Sequence, residues 1–249
     1  MRRYQQAQLF QLREIAMGLT FIGGFIDAYT FGQRGGVLAA GQTGNLIFLS
    51  VDIAQHNLPG VLTKLLTVVF FILGVVTVGL LNYRLRPTSH YWRLPTLLAE
   101  FVVCLVVGGL PETVPNLIVT PPLAFVMAMQ TTAFGHIEGH GYNNVFSTGN
   151  LKKATSALTD YFIYRQPGTL TTGIIYGGLV VSFAGGAIIS ALLQGWLLGR
   201  TIWCAAGLLL IVGGYCLSAK MMRSINEQVK KGTEPVVNRP VPFLTDRLE

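Results

Sequence analysis

The chain has 249 residues, 51% of them hydrophobic and only 12% charged, with a formal net charge of +7 and a mean hydropathy of +0.52. Soluble domains carry about 25% charged residues, so this composition excludes an ordinary water-soluble globule and points to a lipid bilayer as solvent. The basic residues gather at the termini and between apolar runs, which argues against nucleic acid as a partner and matches the loops of a membrane protein.

Residues 1–14 are polar and basic and read as a cytoplasmic N-terminal segment. Six runs then approach the roughly 20 apolar residues that a helix needs to cross a bilayer: 15–32, 62–83, 94–111, 116–135, 170–194 and 199–219. The first holds Asp27 and lacks a small-residue cleavage site, so it is expected to be a retained span and not a signal peptide. The third holds Glu100 near its cytoplasmic start, with Arg93 as the expected contact. Pro121 and Pro122 remove two backbone donors and are expected to kink or break the fourth helix. Beyond Met222 the chain turns polar and then Pro-rich, so 221–249 is expected to be a disordered cytoplasmic tail. Cys104, Cys204 and Cys216 all fall in apolar runs, the pattern of buried thiols and not of a disulfide framework.

Orientation follows from the positions of Lys and Arg. With the N-terminus inside, only Arg34, Lys64 and Arg200 lie outside. Every other basic residue is then cytoplasmic, and both termini share that side.

An offset of 105 residues lays Thr43-Gly44-Asn45-Leu46 on Thr148-Gly149-Asn150-Leu151, Ala28 on Ala133 and Gly36 on Gly141. The same offset carries the second run onto the fifth and the third onto the sixth. Each half, 15–111 and 112–220, would hold three spans, so the second must enter from the opposite side. The fold expected is an all-α membrane protein with six spans as a 3+3 inverted repeat, a design that many transporters use to build a site between repeats.

The Thr-Gly-Asn segments are expected to start two short helices, Leu46 to Gln55 and Leu151 to Ile163, with Thr43 and Thr148 as N-caps. Two readings stay open. Both helices dip inward and frame a pathway, their free amides offered to a polar or anionic solute. Otherwise both lie at opposite membrane surfaces and the motif only starts them. Asp27-Ala28 followed by Ala40-Gly41-Gln42-Thr43-Gly44-Asn45, together with Met129-Gln130 and Thr148-Gly149-Asn150 in a six-span chain, resembles the YoaK-like bacterial membrane proteins, a family of unknown function. The resemblance covers about residues 15–220 and implies a bacterial inner-membrane location without an activity.

Asp27, buried in a span, must face the bundle interior or water, and serves either proton coupling or a structural hydrogen bond. Gln130, with Thr131 and Thr132, lines the same cavity or bonds between helices. His136 and His140 do not stand at zincin spacing, so a loop is expected and no metal or cofactor. Gly178, Ser182, Gly186 and Ser190 repeat every four residues along the fifth span, a stripe that permits close helix packing inside the bundle or at a homodimer seam. No Ser-His-Asp grouping, carboxylate pair or Cys-rich cluster marks an enzyme. The leading expectation is a permease or channel for a small polar or anionic solute, with Asp27, Gln130 and both Thr-Gly-Asn turns along its path. A non-transporting scaffold or partner-binding protein is the alternative.

Overall fold

The computed structural model describes residues 12–85, 93–138 and 140–232, with side chains described as far as Ser218. The chain is mostly helical. Helix α1 (Arg13–Gln33) leads to the short α2 (Gln42–Ala54), then α3 (Leu58–Leu85), α4 (Leu94–Gly109) and α5 (Asn116–Ala133). A small antiparallel hairpin, β1 (His136–Ile137) with β2 (His140–Gly141), precedes the short α6 (Ser147–Phe162), α7 (Thr169–Leu197), a 3-10 turn at Leu198–Thr201 and α8 (Ile202–Gly232).

Among the described residues, three stretches are long and apolar enough to cross a membrane: Arg13–Gln33, Leu58–Leu85 and Thr169–Ser218; Leu94–Gly109 is a shorter apolar helix. The third stretch is broken at Leu198, where φ is +49°, and so comprises α7 and the first half of α8.

Contacts along the helices give their relative directions. Helix α7 runs parallel to α1, with Gly178 beside Met17, Gly186 beside Phe21 and Gln194 bonded to the Ala28 carbonyl. Helix α8 runs back, since Tyr29 donates to the Gly199 carbonyl while Gly18 lies near Val212. Helix α5 is antiparallel to α1: Asn116 lies by Gly35, and Gln130 reaches the Leu19 carbonyl. Helix α3 is parallel to α5, with Thr67 on Thr120 and Gly74 against Phe125 and Ala128. Helix α4 starts with Arg93 on the Ala133 carbonyl and ends with Leu105 and Gly108 against Trp203. The molecule thus has one end carrying α2 and another carrying α6.

The tightest seam is α1 on α7. A Cβ at Gly186 would meet the Phe21 carbonyl, and one at Gly24 the Phe183 carbonyl. Side chains absent on both helices let the two backbones touch. The interior is mainly apolar, yet it also holds polar side chains while large apolar ones face outward. Arg34, Asn45, Thr67, Glu100, Gln130 and Asn144 are buried, whereas Leu73, Val181, Leu192, Ile211 and Trp196 are exposed. Apolar side chains facing outward over long helices are compatible with a lipid surround.

Several expectations are corrected. Helix α5 is unbroken through Pro121 and Pro122. The carbonyls that lose donors there are those of Leu117 and Ile118, in the first turn and a half. The two short helices begin earlier than expected, at Gln42 and Ser147, with Gly41 and Phe146 at the N-cap positions and no side-chain cap. Thr43 and Thr148 are therefore not caps but exposed residues of the first turn. Helix α8 continues past Met222 to Gly232, through a segment rich in the helix formers Met, Gln, Glu and Lys, where a disordered tail was expected. The rest of that tail, 233–249, and most of the N-terminal segment lie outside the described residues.

Candidate functional site

Between α1 and α2 the chain makes a non-helical turn whose Val37, Ala39 and Ala40 are buried. Backbone amides buried there need partners, and side chains supply them. Asp27, on α1, accepts from the Ala40 amide at 2.7 Å, and Thr30, one turn on, accepts from Ala39 at 3.1 Å. Asn45 grips Leu38 from both sides, accepting from its amide at 2.9 Å and donating to its carbonyl at 2.6 Å. Gln42 donates to the Ala39 carbonyl and Asn45 to Gln42 Oε1. Asp27 and Asn45 thus hold buried backbone in place of solvent.

The corresponding turn before α6 repeats part of this. Asn150 accepts from the Asn143 amide at 3.4 Å and donates to the Asn143 carbonyl at 2.6 Å, the same reach of seven residues back. Asn143 itself accepts from the Val145 and Phe146 amides and from the Thr131 hydroxyl. Gly44 is half-buried and Gly149 exposed, and nothing would obstruct a Cβ at Gly149.

Other buried side chains hold polar atoms without a protein partner. Gln130 donates to the Leu19 carbonyl at 3.2 Å, yet its Oε1 has no partner. One turn along α1, Gly23 packs on the Asn144 carbonyl, and the fully buried Asn144 side chain has the Tyr142 hydroxyl beside it. On α4, Thr96, Glu100 and Cys104 share one fully buried face. Neither Glu100 oxygen has a partner. The expected contact with Arg93 is not made; Arg93 bonds the Ala133 carbonyl instead. Buried polar atoms are nearly always satisfied by protein, water or ligand; Gln130 Oε1 and both Glu100 oxygens have no protein partner.

At the α2 end lies a cavity of about 580 Å³ between the end of α1, the α2–α3 turn and the start of α5. Lys64 and Asp52 form a buried ion pair in its wall, with Asn57 also donating to Asp52. The hydrogen bond from Lys64, then that from Asn57, holds the Asp52 carboxyl below its usual range despite burial. Arg34, only 1% exposed, lines the same cavity.

The small-residue stripe lies against α1. Gly178 meets Met17, Gly186 meets Phe21, and Ser190 accepts from Gln194, which also holds Ala28. His136 and His140 sit on the hairpin, and among the described residues no three His, Cys, Asp or Glu side chains gather as metal ligands. Sequence reasoning reached Asp27, Asn45, Gln130 and Asn150, but it missed Arg34 as an interior group and passed over Asn143 and Asn144. The signal for Arg34 was its isolation as one of three basic residues outside the basic-rich side. No signal distinguished Asn143 or Asn144 beyond their place before the second motif.

No curated protein and no solved structure matches the chain. A family model does match, over residues 15–215, a range that spans the bundle and both Thr-Gly-Asn turns. The chain belongs to the family described as protein of unknown function DUF1275.

Proposed function

We propose that this protein is a multi-pass permease or channel of the bacterial inner membrane for a small polar or anionic solute, with both termini cytoplasmic. Helices α1, α3, α4, α5, α7 and α8 are read as six crossings, the second three-helix unit inverted relative to the first. Support comes from the matched pairings: α1 with α7 and α3 with α5 are counterparts under the 105-residue offset, both pairs run parallel, and α1 and α5 run opposite ways. The two asparagine clamps, Asn45 on Leu38 and Asn150 on Asn143, obey the same offset. YoaK-like resemblance and bacterial location are consistent with the family.

The transport reading is supported by buried polar groups beside α1: Gln130 Oε1, without a partner, and the Asn144 side chain, with the Tyr142 hydroxyl as its neighbour. A bundle that only anchors a partner gains nothing from a buried, unsatisfied amide oxygen, at a cost of about 1–3 kcal/mol. A solute pathway does gain, because those groups exchange water for substrate. Asn144→Ala is the test variant, and thermal unfolding in detergent checks that losing its contact with the Tyr142 hydroxyl leaves the fold intact. Uptake of a metabolite mixture into proteoliposomes should fall about tenfold or more, on the scale of one lost polar contact. Wild-type uptake by Asn144→Ala would overturn the pathway.

The scaffold reading has one observation in its favour: Asp27, Asn45 and Asn150 are committed to backbone. Under either reading Asp27 is an anchor and not a proton carrier. Asp27→Asn keeps an oxygen for the Ala40 amide and should leave both uptake and its pH dependence unchanged. A flattened pH dependence in that variant returns Asp27 to the transport path.

A further inference from the structure

We propose that the cavity where α4 ends and α7 breaks into α8 binds the headgroup of a zwitterionic phospholipid, its phosphate on Arg200 and its ammonium on Glu112. The cavity holds about 540 Å³, and opposite charges line it. Glu112 and Arg200 are both exposed, yet the ion pairs among the described residues include neither of them. Glu112 accepts from the Gly199 amide through Oε1 at 3.3 Å, which leaves its other oxygen for a ligand. Arg34 lies beside Gly199 but is 1% exposed, so it offers the cavity no donor. A guest with one charge of each sign satisfies both Arg200 and Glu112. A simple anion or cation satisfies one and is opposed by the other.

The rim of the cavity calls for a guest that brings hydrocarbon with it. Trp196 is 87% exposed, Leu198 51% and Trp203 44%, and all three line the cavity. Large apolar faces left open beside a charged pocket suit acyl chains joined to a polar head. Tryptophan favours the level of lipid headgroups, and its ring face attracts an ammonium group. The indole N–H of Trp203 donates to the Leu105 carbonyl at 3.0 Å, which fixes that ring in place. In the six-crossing reading, α4 and α7 end here and α8 begins, on the non-cytoplasmic side where Arg200 is one of three basic residues. The inference rests on the membrane part of that reading and not on transport.

The test uses the full chain in detergent and reads thermal unfolding, because a ligand of the native state raises apparent stability. The probes are dioleoyl phosphatidylethanolamine, dioleoyl phosphatidylglycerol and soluble glycerophosphoethanolamine. The two lipids share chains and phosphate, but only the first carries an ammonium. Saturable stabilisation by the ethanolamine lipid is expected, about tenfold tighter than by the glycerol lipid, on the scale of one charge-assisted contact. Arg200→Gln should weaken both lipids by a similar factor, and Glu112→Gln should weaken the ethanolamine lipid alone and erase the preference. Arg200 is exposed and outside any ion pair, so Arg200→Gln is expected to fold and decides alone if Glu112→Gln does not. Absence of a saturable shift with the ethanolamine lipid overturns the site, as does equal or tighter binding of the glycerol lipid. Undiminished binding in Arg200→Gln, or a preference retained in Glu112→Gln, overturns it too. Glycerophosphoethanolamine bound as tightly as the lipid would overturn the lipid as occupant. An alkaline carbonate wash checks the membrane reading apart: protein that stays with the membranes is embedded, and a site that fails on it fails alone. Lipid binding without solute uptake keeps the site and removes transport; uptake without lipid binding does the reverse.

Discussion

The turns before α2 and α6 solve one problem with different residues. Before α2, the buried amides of Ala39 and Ala40 are taken by Thr30 and Asp27, side chains reaching from α1. Before α6, the amides of Val145 and Phe146 are taken by Asn143 within the turn itself. Only the clamp is shared: Asn45 and Asn150 each bond the carbonyl seven residues back, both at 2.6 Å. The comparison separates what the motif requires from what each copy improvised. Asn is required because one amide both donates and accepts; Asp27 is one of two ways to hold the next amides. At the offset positions of Asp52 and Lys64 stand Ala157 and Thr169, so this charged pair has no counterpart at the second turn.

The largest effect expected tests the seam that joins the two units. Gly186→Leu places a branched side chain against the Phe21 carbonyl and the Phe25 amide, with backbone and not a flexible side chain in the way. Loss of folded, monodisperse protein in detergent is expected, a cost above about 3 kcal/mol for overpacking that cannot relax. Gly177→Leu on the same helix, where no atom lies within reach of a Cβ, should be tolerated. If both variants fold alike, α1 and α7 do not meet through Gly186.

The clamp comes next. Asn45→Ala leaves the Leu38 amide and carbonyl unbonded beneath a buried turn, a loss of about 2–4 kcal/mol from two unsatisfied groups. Asn150→Ala should cost less, because its contact with the Asn143 amide is already long at 3.4 Å. Asn45→Asp should recover the amide half of the clamp and lose the carbonyl half. Chemical unfolding of the three variants in one detergent ranks them. A larger loss at Asn150 than at Asn45 would break the comparison.

Much of this was legible in the sequence, for physical reasons that differ by residue. The apolar runs mark the long helices within a few residues, apart from the far end of α8, which runs on to Gly232, because bilayer thickness and helix rise fix the length of the apolar part. The offset of Asn45 and Asn150 is visible because one geometry demands one residue type. Thr43 and Thr148 misled because cap preference is statistical; here the buried turn already fixes the helix start, and Gln42 opens α2 without a cap. Glu100 was matched with Arg93 by proximity in sequence, but the Arg93 guanidinium turns to the Ala133 carbonyl on α5. Arg34 beside Gly199 and Asn144 against Gly23 of α1 take their places from neighbours distant in sequence, which no local pattern reveals.

The smallest effect concerns the charged pair that only the first turn possesses. Lys64 holds the Asp52 carboxyl below its usual range. A carboxyl lowered in the folded state contributes stability that is present above its unfolded pKa, about 3.9, and that fades as pH falls through the folded value. Asp52→Asn abolishes the titration but keeps an oxygen for Lys64. The wild type should therefore unfold at a higher temperature than Asp52→Asn by a constant margin from about pH 5 to 8. That margin should narrow as pH falls below about 4. A substitution in the equivalent uncharged position, Ala157→Ser, should show no such narrowing, since nothing there titrates. Were the Asp52→Asn margin equally wide at both ends of the pH range, the pair would be held by packing of the Lys64 stem against the cavity wall and not by its charge.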